Sequence, residues 1–144
     1  MNQSELAIVV ILRLIGVSGL FAIPAIFLPT AWMAAIHDYL GLGPLPEGPI
    51  VGYLARSLSA FYAAISAITL FISTDIRRYR SLVRLWAIIV AVMGCLLLGI
   101  DLAEGMPWAW TISEGPPTVA VGLVVLRLQS NRNKHESLDT AQGG

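Results

Sequence analysis

Charge is scarce in this chain. Asp, Glu, Lys and Arg make up 12% of its 144 residues, while 56% are hydrophobic. A soluble domain carries about 25% charged residues, and half that density leaves apolar patches too broad to face water. An ordinary soluble domain is therefore excluded, as is disorder over most of the length. Cysteine is nearly absent too: Cys95 stands alone, so no intrachain disulfide framework can form. Net charge is zero with no basic block, which argues against nucleic acid as a partner. What the composition leaves is a small membrane protein.

About 20 apolar residues are needed for a helix to cross the hydrocarbon core. Four stretches approach this, over 6–28, 50–73, 83–103 and 114–130. The fourth is the shortest, and Pro116 and Pro117 suit its first turn with Ser113 as N-cap. None alternates apolar and polar residues as a barrel strand does. The first follows a start without Lys or Arg and is about twice the length of a signal core, so it is expected to be retained. The fold class expected is all-α, an integral membrane four-helix bundle forming one domain over 1–130. The polar stretch 131–144 is expected to be a disordered tail. Residues 31–40 read as a short interfacial helix with Thr30 as its cap and Gly41 as its end.

Basic residues set the orientation. Arg77, Arg78, Arg80 and Arg84 lie around the second link, and Arg127, Arg132 and Lys134 at and beyond the end of the last helix. The other two links hold Asp38, Glu47, Glu104 and Glu114 and no Lys or Arg. The positive-inside rule then makes both termini cytoplasmic and the acidic links outward. Trp32, Trp108 and Trp110 fall at the outer boundary, and Tyr79 and Trp86 at the inner one.

Ionisable residues within membrane helices are costly and point to function or to a lock. Arg56 lies about 9 Å below the outer end of the second helix at 1.5 Å per residue. Gly52, Ala60, Ala63 and Ala67 flank it on one face, and small residues mark close helix contact. Ala87, Ala91, Gly94 and Asp101 share a face of the third helix. An Arg56–Asp101 pair is expected, with Glu104 and Glu114 as alternative partners. Either it locks two helices together, or Arg56 anchors an anionic ligand in an outward pocket walled by Trp32, Tyr53, Trp108 and Trp110. Arg13 has no small-residue face and reads as snorkelling to the inner headgroups, with Asp75 as the alternative partner. Asp101 and Glu104, three residues apart, meet at one helix end near open water, which disfavours acid–base catalysis. His37 with Asp38 gives too few ligands for a metal, and Cys95 reads as packing.

An Arg early in the first helix, then Gly16 and Gly19, then a Pro-closed helix resembles the small four-helix DoxX-like membrane proteins. The run Tyr53-Leu54-Ala55-Arg56-Ser57-Leu58-Ser59-Ala60-Phe61-Tyr62 is similar to the Arg-containing second helix of related uncharacterised bacterial families. The resemblance implies a four-helix bundle in the bacterial cytoplasmic membrane. The redox association of DoxX-like proteins does not carry over, since Cys95 is alone and no paired His could ligate haem. No cofactor is expected.

Three functions compete. The first is a non-enzymatic membrane subunit or accessory protein, with the bilayer and a membrane-protein partner or a second copy as its contacts. The alternative is a binder of a small anionic or lipid-like molecule around Arg56. A proton-coupled carrier or intramembrane enzyme needs titratable groups in mid-bilayer, and Asp101 and Glu104 are peripheral.

Overall fold

The computed structural model describes residues 3–142, with side chains through 131. Its regular structure is helical: α1 Gln3–Leu20, α2 Ala22–Ile26, α3 Thr30–Tyr39, α4 Pro49–Ser73, α5 Arg80–Glu104 and α6 Trp108–Gln142. Among the described residues four stretches are long and apolar enough to cross a membrane, Gln3–Ile26, Pro49–Ser73, Arg80–Glu104 and Trp108–Asn131. That is the signature of an integral membrane protein.

The first span, which the sequence predicts as one helix, is broken between α1 and α2. Pro24 has no N–H for the Leu20 carbonyl, and its ring crowds that oxygen. The backbone tightens at the break, with the Phe21 amide donating to Ser18 O at 3.1 Å, and α2 continues for five residues. The last span differs in the opposite sense. Pro116 and Pro117 lie inside α6 rather than in its first turn, because the helix already starts at Trp108. The Pro107 carbonyl accepts from the Trp110 and Thr111 amides at 2.8 and 3.2 Å and opens that earlier turn. Ser113 is thus no cap; its hydroxyl donates to Trp110 O at 2.9 Å within the helix. The helical backbone runs on to Gln142, whereas the sequence reading placed a disordered tail from 131. Side chains beyond 131, with Gly143 and Gly144, lie outside the described residues.

The chain divides into two compact units, residues 13–71, and residues 1–12 with 72–144. In the second of these, α5 and α6 are joined by a tight turn. Gly105 takes the left-handed conformation (φ 67°) and the Met106 amide donates back to Asp101 O at 2.9 Å, closing α5 in a Schellman-type cap. The two helices then run antiparallel with their backbones in near contact at three glycines. A Cβ on Gly122 would stand 2.6 Å from both Ala87 O and Ala91 N, and one on Gly94 would stand 2.6 Å from Val119 N. A Cβ on Gly115 would meet Leu98 Cβ at 2.8 Å. The Ala87–Ala91–Gly94 face therefore packs on α6. Ile8 and Leu12 of α1 join Val83, Ala87 and Val125 in the buried core of this unit. Its polar end is tied by Arg77, which donates through Nε and Nη2 to the Glu5 carboxylate at 2.9 and 2.8 Å. Gln129 Nε2 donates to Arg80 O at 3.2 Å.

In the unit of residues 13–71, α1 packs on α4 through glycine again. A Cβ on Gly16 would stand 2.6 Å from Leu70 Cγ, and one on Gly19 would overlap the Ser66 hydroxyl. The face of α4 turned inward is not the alanine face expected. Ala60 and Ala67 are exposed, while Ser66, Thr69 and Ser73 are buried and Arg56, Ser59 and Ala63 half-buried. The stripe follows small hydroxyl residues at helical spacing. Ser59 and Thr69 hydroxyls donate to the carbonyls four residues earlier, Ala55 and Ile65, at 2.8 and 2.9 Å. Their hydrogen-bonding needs are thereby met within the helix, so they pack like small apolar residues.

Candidate ligand pocket

α3 starts at Thr30 because Pro29 cannot continue the preceding backbone and offers its carbonyl instead, to the Trp32 and Met33 amides at 3.0 and 3.1 Å. Pro29, not Thr30, is the N-cap, and no side chain caps this end. Gly41 ends the helix with φ 76° and donates to Asp38 O at 2.9 Å. The connector then turns through Gly43 (φ 78°) and Gly48 (φ 132°), conformations that favour glycine. Its first turn is pinned by His37, whose Nδ1 lies 2.8 Å from Gly43 O. A carbonyl only accepts, so Nδ1 carries the proton. His37 is thus a clamp on the connector rather than an isolated interfacial residue. Pro49 opens α4, where its missing N–H is no loss.

These turns line an open-sided cavity of ≈ 550 Å³, which falls in the size range of small-molecule sites. Three walls form it: the first turn of α3 at Thr30, Ala31 and Ala34; the connector from Leu45 to Pro49; and α4 at Val51, Gly52 and Arg56. Two charged side chains line it, Arg56 and Glu47. The guanidinium is held by its backbone partner, with Nη2 donating to Leu28 O at 3.1 Å. Gly52 makes room for it, since a Cβ there would stand 2.9 Å from Nη1. No carboxylate of this unit lies within ion-pair distance of Arg56, Glu47 included. A guanidinium has five donors, and the Leu28 bond uses one.

No protein-family model, curated protein or solved structure matches this chain.

The residues singled out from sequence fall in different places. Arg56 lines the cavity. Trp32 and Tyr53, expected as aromatic walls, are each 65% exposed and do not line it. Their places are taken by small residues of α3 and by the connector. In the unit of α5 and α6, Asp101 is buried and its Oδ2 has no hydrogen-bond partner among the described residues. Glu104 is exposed, so it does not share Asp101's environment despite the three-residue spacing. Glu114 is engaged within its own helix, accepting from Trp110 Nε1 at 2.6 Å. Trp108 is exposed. Arg13 is exposed, and Asp75 accepts from the Arg78 amide at 3.0 Å.

Two participants escaped the sequence reading. Glu47 counted there only as an acid in a link, and the Leu28 carbonyl is backbone. The signal for Glu47 was present: it is the one charged residue between two prolines in a connector that must fold back over a helix start.

Proposed function

We propose that this chain is an integral membrane protein that binds a small or lipid-like molecule through its anionic group in the pocket at Arg56. The observation that carries this reading is a membrane-helix guanidinium that lines a 550 Å³ cavity and has a carbonyl, not a carboxylate, as its partner in its own unit. An arginine that served solely as an interhelical lock would have its charge met by an acid. Within its own unit the Leu28 bond uses one of its five donors. The first turns of α3 and α4 line the same cavity and add the positive ends of two helix dipoles.

Orientation gives the pocket its side. The Arg77, Arg78, Arg80 and Arg84 cluster belongs with the cytoplasm under the positive-inside rule, which puts both termini inside and the α3–α4 connector outside. Within a four-helix bundle of the bacterial cytoplasmic membrane, as the DoxX-like resemblance implies, the pocket opens to the outer leaflet and the space beyond it.

The test is purification of the full chain from native membranes in mild detergent, with mass spectrometry of what is extracted from it. A stoichiometric anionic or lipid-like molecule in the wild type, lost in a folded Arg56→Gln variant, is the expected result. A stoichiometric protein partner with no such molecule would overturn the pocket and favour the accessory-subunit reading.

A further inference from the structure

Two opposite charges face one cavity without meeting. Arg56 and Glu47 both line the 550 Å³ pocket, yet no nitrogen of the one is within 4.0 Å of an oxygen of the other. Glu47 is exposed and Arg56 half-buried, and two opposite charges at one opening still gain by closing. Three features keep it open. The Leu28 carbonyl tethers Nη2 at 3.1 Å, and Gly52 leaves the space in which the guanidinium lies against its own helix. On the other side Glu47 sits between Pro46 and Gly48–Pro49, in a connector whose first turn His37 clamps at Gly43. Proline fixes the backbone on both sides of the acid, so the carboxylate is carried by a stiff segment.

We infer, building on the pocket assigned to Arg56, that its ligand is a zwitterion: an anionic phosphate or carboxylate directed to Arg56 and a primary ammonium directed to Glu47. A purely anionic guest would meet Glu47 as a like charge on the connector wall, which opposes binding. A guest with an amine a short linker away from its anion satisfies both. The start of α3, two residues beyond the Leu28 carbonyl that Arg56 holds, favours the anion on that side. Two sources share this chemistry, an ethanolamine phospholipid headgroup in the outer leaflet and a free amine-bearing anion in solution.

The experiment uses the full-length protein in a non-ionic detergent, titrated calorimetrically with four probes. These are dihexanoyl phosphatidylethanolamine, dihexanoyl phosphatidylglycerol, free phosphoethanolamine and inorganic phosphate. The expected result is at least tenfold tighter binding of the ethanolamine lipid than of the glycerol lipid. Glu47→Gln erases that preference with the fold unaltered, weakening the ethanolamine lipid and strengthening the glycerol lipid, and Glu47→Lys reverses it. Phosphoethanolamine matching the lipid assigns the free source; binding by the lipid alone assigns the bilayer source. Equal wild-type affinity for the two lipids, or an equal effect of Glu47→Gln on both, overturns the zwitterion while the anion pocket stands. If no probe binds in an Arg56-dependent manner, with Arg56→Lys as the milder variant should Arg56→Gln not fold, both the inference and the pocket beneath it fail.

Discussion

Glu5 and Arg77 form a two-pronged ion pair across 72 residues of chain, with the carboxylate buried and the guanidinium side chain 69% exposed. The arrangement is asymmetric: the acid has lost its water, while the base retains much of its own. Removing the arginine should therefore harm the fold more than removing the acid's charge. Arg77→Met is expected to lower stability by about 1–3 kcal/mol, and Glu5→Gln by less. Thermal unfolding of both single variants and the double variant in detergent tests this. A double variant that loses the full sum of the singles would show that the two residues are not coupled.

Glycine positions in α5 and α6 should separate sharply. Gly122→Ala drives a methyl to 2.6 Å from backbone atoms of Ala87 and Ala91, and backbone cannot rotate away. Overpacking of this kind costs about 1–3 kcal/mol. Gly99, on the same α5, has nothing within 4 Å of the added carbon. Gly99→Ala should leave stability unchanged or raise it by up to about 1 kcal/mol through helix propensity, read as an equal or higher melting temperature. Similar losses at both positions would contradict the antiparallel register described for this pair.

Gly52→Ala is expected to be a binding variant without a stability phenotype. The new carbon meets Arg56 Nη1 at 2.9 Å, and that atom ends a flexible side chain. The guanidinium shifts and the helix stays intact. Affinity for dihexanoyl phosphatidylethanolamine should fall several-fold with an unaltered melting temperature. A variant that unfolds, or one that binds as the wild type does, would show that the position of the guanidinium is set elsewhere.

Asp101→Asn should stabilise the protein. Asp101 is 5% exposed and its Oδ2 has no partner among the described residues. A neutral amide of the same shape costs less to bury than a carboxylate. The expected outcome is a higher melting temperature in detergent. A marked drop would mean that a donor from beyond this unit meets Oδ2 in the membrane.

Much of the fold was legible because hydrophobic length is a strong signal and glycine and alanine are small. The four spans follow from run length, and the Ala87–Ala91–Gly94 face from its spacing. Alanine is an ambiguous marker of packing on α4, where small hydroxyl residues fill that role at Ser66 and Thr69, the latter satisfied by its own helix carbonyl. Pro116 and Pro117 were misplaced because proline marks a first turn only when no earlier residue opens the helix, and Pro107 does so here. Of the candidate site, Arg56 was legible as a charge where charge is expensive. Its partner was not, since a backbone carbonyl leaves no trace in composition, and Glu47 gains meaning only once the connector folds over the start of α3. The aromatic walls failed because Trp32 and Tyr53 were placed by depth alone, and depth does not say which way a ring turns.

Leu28 lies just beyond α2, where carbonyls run out of helical donors, and neither α1 nor α2 carries a base in its last turn. Arg56 supplies that missing donor from a helix 28 residues further along. The same planar group thus finishes one span and greets a guest in the cavity. Occupancy and fraying then become two readings of a single equilibrium: a guest that draws the guanidinium away loosens residues 26–28, and by reciprocity anything that steadies that end alters affinity. Hydrogen exchange at the Phe27 and Leu28 amides, followed with and without ligand, would report binding from a place the ligand never touches.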